Sequence, residues 1–168
     1  TGLATVSRNE KLIVLSMYDG IATGRYCLDK LGFNNINYYA YEIDKYAIQI
    51  YQSKFPQHKN YGDITKINAK ELPDFDLFVG GFPCQAFSIA GKRGGIEDTR
   101  GTLFFDVAEI IKRKKPKAIF LENVKGLVTH DNVKTLDVIL NTLEELDYAV
   151  HVKIINAKNF GVPQNRER

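Results

Sequence analysis

Short apolar runs alternate with amphipathic stretches along most of this chain. Leu12-Ile13-Val14-Leu15-Ser16-Met17 reads as a buried strand. Gly20-Ile21-Ala22-Thr23-Gly24 reads as a turn into a helix that passes through Leu28 and Leu31 and stops near Gly32. The pattern then predicts a strand over Tyr38 to Ile43 and a helix over Tyr46 to Phe55, closed by Pro56. A short third strand, or the end of one, follows at Asn60 to Ile64 and a fourth at Leu77 to Gly81. Beyond the Gly-rich segment 91–101 comes a helix from Leu103 to Lys114, and then a fifth strand from Ala118 to Glu122. A helix over Val133 to Leu146 and a sixth strand over Val150 to Asn156 complete the pattern. Strands that are continuously apolar, separated by helices, predict an α/β fold with a mostly parallel sheet covered by helices on both faces. Residues 1–11 are expected to be frayed, and 12–168 are expected to form one domain or part of one.

Composition narrows the class only modestly. With 168 residues, 44% hydrophobic and 26% charged, the chain has the makeup of an ordinary globular domain. A net charge of +3 permits an anionic partner without demanding one. The two cysteines, Cys27 and Cys84, form no disulfide framework, and a reducing cytoplasmic setting is expected. No apolar run reaches a membrane span, so no membrane partner is expected. His58, His130 and His151 lack metal-ligand spacing, and no metal is expected. The basic run 112–117 closes a helix, where cations favour the negative end of the dipole, and reads as a solvated terminus.

In parallel sheets of this kind ligands bind at the carboxyl ends of the strands. The Asp19-to-Gly24 turn after the first strand would let a ligand approach the backbone at a helix N-terminus. It does not match the G-x-G-x-x-G dinucleotide pattern. Glu42 ends the second predicted strand, where a carboxylate can bind ribose hydroxyls, and Asp63 follows the third. A glycine loop with these two acids suits a nucleoside without a pyrophosphate, and favours S-adenosylmethionine over NAD or ATP. At the fourth strand end, Phe82-Pro83-Cys84-Gln85 holds a cysteine where a thiolate nucleophile would be useful. Glu122 brings a carboxyl to the end of the fifth. Cys27 lies within the first helix pattern and reads as a core residue.

Several segments together resemble one family. Residues 80–88, Gly-Gly-Phe-Pro-Cys-Gln-Ala-Phe-Ser, are similar to the catalytic loop of DNA (cytosine-5)-methyltransferases. Glu122-Asn123-Val124 resembles their E-N-V motif, and Gln164-Asn165-Arg166-Glu167-Arg168 their Q-x-R-x-R motif. Ser16 to Gly24 resembles their methyl-donor loop in its D-G-I-A-T-G form, with Tyr18 where phenylalanine is usual. Arg100 to Phe104 is similar to the segment after their mobile loop.

The resemblance implies a Rossmann-like S-adenosylmethionine-dependent fold and transfer of methyl to C5 of a flipped-out cytosine in double-stranded DNA. It implies that Cys84, supported by Pro83, adds to C6, that Glu122 and Asn123 serve the base, and that Arg166 and Arg168 face its O2 side. Tyr18, Asp19, Gly20, Ile21, Gly24, Gly81, Pro83 and Leu103 would line the donor, with Glu42 at the ribose. Ile43 and Ile64 would flank the adenine and Asp63 would meet its amine. Residues 86–102 would form a mobile loop. The resemblance also implies a bacterial or phage type of enzyme. Family members continue past the last motif, so the fold is expected to be incomplete at its C-terminus and to need further polypeptide, in the same chain or in a second one. Two alternatives stay open: a cofactor-binding half without turnover, and an RNA cytosine substrate.

Overall fold

The computed structural model describes residues 7–82, 103–129 and 133–168. Pro83, Cys84, the 86–102 segment and His130 lie outside the described residues, as do residues 1–6. The described residues fall into two compact units. One takes 7–81 with Arg113–Leu121, and the other takes 82, 103–112, 122–129 and 133–168.

The first unit is built on four parallel strands: β1 (Leu12–Met17), β2 (Ile36–Tyr41), β3 (Leu77–Gly80) and β4 (Ala118–Leu121). Their order is β2-β1-β3-β4. Met17 pairs with both Tyr41 and Gly80, and Gly80 pairs with Leu121, so the carboxyl ends share one rim. Because β1 has a neighbour on each side, Val14, Leu15 and Met17 are fully buried. The strand order reverses at β1, which marks the switch point where such sheets open a crevice for ligands. Two helices follow β1 and β2, namely α1 (Thr23–Lys30) and α2 (Lys45–Lys54). Asp44 starts α2 by accepting the Tyr46 and Ala47 amides at 2.8 and 2.9 Å. Leu12, Val14, Leu28, Tyr38 and Ala40 form a core cluster, with Phe33, Ile36, Leu77 and Val79 packed against it.

Helix α3 (Leu103–Lys114) belongs to the second unit up to Lys112 and α4 (Val133–Glu145) belongs to it entirely. Phe104, Val107 and Ile111 recur at helical spacing along α3 and are fully buried. The Phe82 ring meets Phe104 at 5.6 Å between centroids. Short 3-10 turns cover Lys125–Val128 and Ala157–Phe160. Among the described residues no helix is long and apolar enough to cross a membrane.

Three sequence expectations are corrected. Asn60 to Ile64 forms one bridge, from Asn60 to Ala40, and then turns at Gly62 (φ 82°) into a 3-10 helix at Ile64–Lys66. The left-handed glycine ends the pairing before a strand can extend. Val150 to Asn156 is not a sheet strand: Val152, Ile154 and Ile155 are exposed, and Asn156 makes an isolated antiparallel bridge to Glu167. Among the described residues no sheet strand takes up its apolar alternation. Cys27 is exposed rather than core, because the buried side of α1 is carried by the adjacent Leu28. In the basic run, Lys114 and Lys117 are tied to Asp74 and Asp76 at 3.1 and 2.8 Å.

Candidate active site

The loop leaving β1 is held in a conformation that costs energy. Tyr18, Gly20 and Ala22 have φ of 55°, 59° and 61°, all left-handed. For Tyr18 and Ala22 that backbone costs roughly 1 kcal/mol each, and only Gly20 adopts it freely. Two carboxylates hold the loop against this strain. Asp19, only 9% exposed, accepts the Ser16 and Tyr38 hydroxyls on one oxygen, each at 2.6 Å. Burial raises the Asp19 pKa, the two hydroxyl bonds oppose the shift, and the nearby Glu42 charge adds to it. Its other oxygen is buried without a hydrogen-bond partner.

Glu42 closes the loop from the end of β2. One of its oxygens accepts the Gly20 amide at 2.7 Å, and the other accepts the Ile43 and Asp44 amides at 2.8 and 2.9 Å. Asn60 fixes Glu42 in turn, accepting its N–H at 3.2 Å and donating to its carbonyl at 2.9 Å. The carboxylate expected at a ribose therefore also ties the β2 end to the glycine loop.

Gly20 in this loop and Gly24 in the first turn of α1 have different jobs. A Cβ on Gly20 would meet nothing within 4 Å, so that face of the loop is open to a ligand. A Cβ on Gly24 would lie 3.0 Å from the Tyr38 hydroxyl and 3.3 Å from Val79, so Gly24 permits close packing beneath the loop. Ile43 is 72% exposed, available to cover a flat apolar ligand, whereas Ile64 is buried. Asp63 caps the following 3-10 turn, accepting both the amide and the hydroxyl of Thr65. Those bonds hold its carboxyl below the usual range. Ile21, Thr23, Tyr26, Ile50, Lys54 and Phe55 line an open groove beside α1 and α2. Gly81 directly follows the last residue of β3, Gly80. Leu103 opens α3, but its side chain lies outside what the structure describes.

In the second unit, Glu122 and Arg168 come together, with Arg168 Nε 2.7 Å from a Glu122 oxygen. Asn123 donates its side-chain amide to the Phe82 carbonyl at 3.0 Å, anchoring the chain just before Pro83. Two antiparallel stretches present the arginine. Ile155 and Arg168 exchange backbone bonds at 2.9 Å, and the Ala157 amide reaches the Arg166 carbonyl at 3.0 Å. Lys125 pairs with Glu167 at 2.8 Å, on the residue between the two arginines. Arg166 is exposed. A carboxyl held by a guanidinium, beside a fixed backbone turn, can grip the polar edge of a planar base.

Sequence reasoning missed Tyr38 and Asn60 as supports of the loop. Tyr38 reads as one more apolar strand residue, and its hydroxyl matters only because Asp19 is folded beneath the loop. Asn60 offered a faint signal, since an asparagine side chain can satisfy an adjacent peptide at both its ends.

The parallel strands and their order define a doubly wound, Rossmann-like α/β fold. The fold is similar to a crystal structure of S. pombe Dnmt2 methyltransferase, with a TM-score of 0.71 at 22% identity over 94% of this chain and 47% of that one. It is similar also to an Entamoeba histolytica methyltransferase, EhMeth, at a TM-score of 0.69 and 21% identity, over 95% of this chain and 51% of that one. A sequence profile described as C-5 cytosine-specific DNA methylase matches residues 12–168, and the chain belongs to that family. Type II methyltransferase M1.ScrFI of Lactococcus lactis subsp. cremoris is 52% identical over 96% of this chain and 41% of its own length. M.HhaI of Haemophilus parahaemolyticus is 49% identical, over 92% and 46%. M.HpaII of Haemophilus parainfluenzae is 55% identical, over 95% and 45%. The chain thus spans less than half the length of these curated relatives.

Proposed function

We propose that this chain carries the methyl-donor and target-base residues of a bacterial enzyme that methylates C5 of cytosine in double-stranded DNA. The observation that carries the reading is the Glu122–Arg168 pair at 2.7 Å, next to Asn123 anchoring the Phe82 carbonyl. Family membership supports the reaction, and relatives named as Type II methyltransferases support DNA as the substrate.

C5 of cytosine is a poor nucleophile, so the reaction needs activation of the ring. The Cys84 thiolate adds to C6, forming a sulfur–carbon bond and opening the C5–C6 double bond. Glu122 holds N3, protonating or hydrogen-bonding it so that the pair of electrons moves onto C5. Arg168, with Arg166 beside it, faces O2 and stabilises the negative charge that grows on the ring. After methylation, loss of the C5 proton to a base and expulsion of the Cys84 thiolate restore the aromatic ring. C6 cannot be reached inside the stack, so the cytosine is flipped out.

S-adenosylmethionine, when bound, would supply the electrophilic methyl group to C5, its sulfur–methyl bond breaking to leave the neutral thioether S-adenosylhomocysteine. The first unit suits it: Gly20 leaves open space, the loop is prearranged, and Asp19 keeps a buried oxygen unpartnered. Tyr18, Asp19, Gly20 and Ile21 would hold the methionine end, and Glu42, Ile43, Asp63 and Ile64 the nucleoside. Selection of the DNA sequence falls to polypeptide outside these residues, in the same chain or in a second one. The test is transfer of labelled methyl from S-adenosylmethionine to duplex DNA and to RNA by the intact protein. Label on DNA cytosine that vanishes with Cys84→Ser supports the proposal. Label on RNA alone, or label that survives Cys84→Ser, refutes it.

A further inference from the structure

We propose that Asn156 is a positioning residue that sets Arg166 and Arg168 in register against Glu122, an inference that rests on the target-base reading of that pair. Asn156 is one of few buried polar side chains among the described residues, at 7% exposure. Its side-chain oxygen accepts the Lys158 amide at 3.2 Å and the Arg166 amide at 3.1 Å. Its side-chain nitrogen donates to Asn165 at 2.7 Å.

Capping the Ala157–Phe160 turn requires only the bond to Lys158, and Ser, Thr or Asp would do that equally well. The bonds to Arg166 and Asn165 serve no purpose in that turn. They seize the returning segment at the two residues that precede Glu167. A carboxamide is the side chain that offers the acceptor and the donor together in one plane.

Register is what this grip protects. Residues 161–166 are exposed, so burial does little to fix where the returning segment lies. As placed, Glu167 reaches Lys125 and Arg168 reaches Glu122. A slip of one residue would reverse the side-chain directions and offer Glu167 to Glu122, two carboxylates in place of an ion pair. Asn156 binds the backbone of Arg166 directly, and the flanking bridge through Ile155 and Ala157 carries that placement to Arg168. It touches neither base nor methyl donor, and acts through the arginines.

The test compares Asn156→Ala and Asn156→Asp with the wild type in the intact protein, by steady-state methyl transfer and by amide hydrogen exchange. Asn156→Ala should lower kcat about a hundredfold, the scale of a misplaced catalytic group, with the S-adenosylmethionine KM within about twofold. The Arg166 and Arg168 amides should exchange about tenfold faster, as expected for one lost buried bond, while those of β1 hold their rates. Asn156→Asp keeps the oxygen acceptor and should recover about tenfold of the lost kcat. Unchanged exchange at Arg166 and Arg168 overturns the inference. So does a kcat within about threefold of wild type, or a loss shared by β1 exchange and KM that Asp does not rescue. A wild type that transfers no methyl refutes the proposed function instead, and the exchange comparison still decides the placement by Asn156.

Discussion

Tyr38→Phe removes a single hydroxyl from beneath the loop after β1, and the structure sets the size of the effect. That hydroxyl donates to Asp19 at 2.6 Å, the short distance of a charge-assisted bond. Losing it leaves the Asp19 carboxyl with Ser16 alone, since its other oxygen already lacks a partner. The expected cost is about 1.5–3 kcal/mol for a bond to a charged group. For a chain of this size that lowers Tm by about 3–12 °C. Left-handed Tyr18 and Ala22 together oppose the loop by roughly 2 kcal/mol, and losing this bond leaves Ser16 and Glu42 to hold it against that strain. Affinity for S-adenosylmethionine should then fall up to about tenfold, the equivalent of 1.4 kcal/mol. The assay is urea unfolding with calorimetric titration, run in wild-type and Asp19→Asn backgrounds. With a neutral amide at position 19, Tyr38→Phe should cost only about 1 kcal/mol. Equal costs in both backgrounds, or no loss of affinity in the first, would refute the role given to this bond.

Asp19 also makes stability depend on pH. Its pKa is raised by burial above the ordinary 3.8, so the folded protein keeps this proton to higher pH than the unfolded chain does. Stability from the protonated carboxyl is therefore complete below that ordinary value and is lost as pH rises through the folded-state value. Asp19→Asn should gain stability relative to wild type across that window; a difference that is flat with pH, followed by urea titrations, would count against it. Gly24→Ala should cost about 1–3 kcal/mol, because its Cβ would press on Tyr38 and Val79; a neutral result in thermal unfolding would mean that α1 shifts freely. Asn123→Ala removes its bond to the Phe82 carbonyl and should slow methyl transfer about tenfold or more while Tm moves little. Equal losses of kcat and Tm would make Asn123 a fold residue rather than an anchor of the catalytic turn.

Much of the first unit can be read directly from the sequence, because its strands are buried on both sides and advertise themselves as apolar runs. Leu12 to Met17 and Leu103 to Lys114 fall where the pattern places them. The pattern fails where an element depends on a distant neighbour. Val150 to Asn156 alternates like a strand, yet no sheet neighbour takes it up among the described residues. Asn60 pairs once and Gly62 then turns the chain away. The chemistry divides in the same manner. Glu42 and Glu122 stand out as carboxyls at strand ends, whereas Tyr38, Asn60 and Asn156 act through bonds to residues remote in sequence or across a turn, which a linear pattern does not display.

We propose that Cys84 attacks cytosine C6 and that Glu122 and Arg168 serve the same base. The most direct test is mass spectrometry of the intact protein incubated with S-adenosylmethionine and duplex DNA carrying 5-fluorocytosine, in which the fluorine at C5 cannot leave as a proton would. The account expects a covalent protein–DNA adduct whose peptide maps to Cys84, absent in Cys84→Ser and strongly reduced in Glu122→Gln. No adduct in a wild-type protein shown to bind both ligands, or an adduct on a different residue, would contradict it.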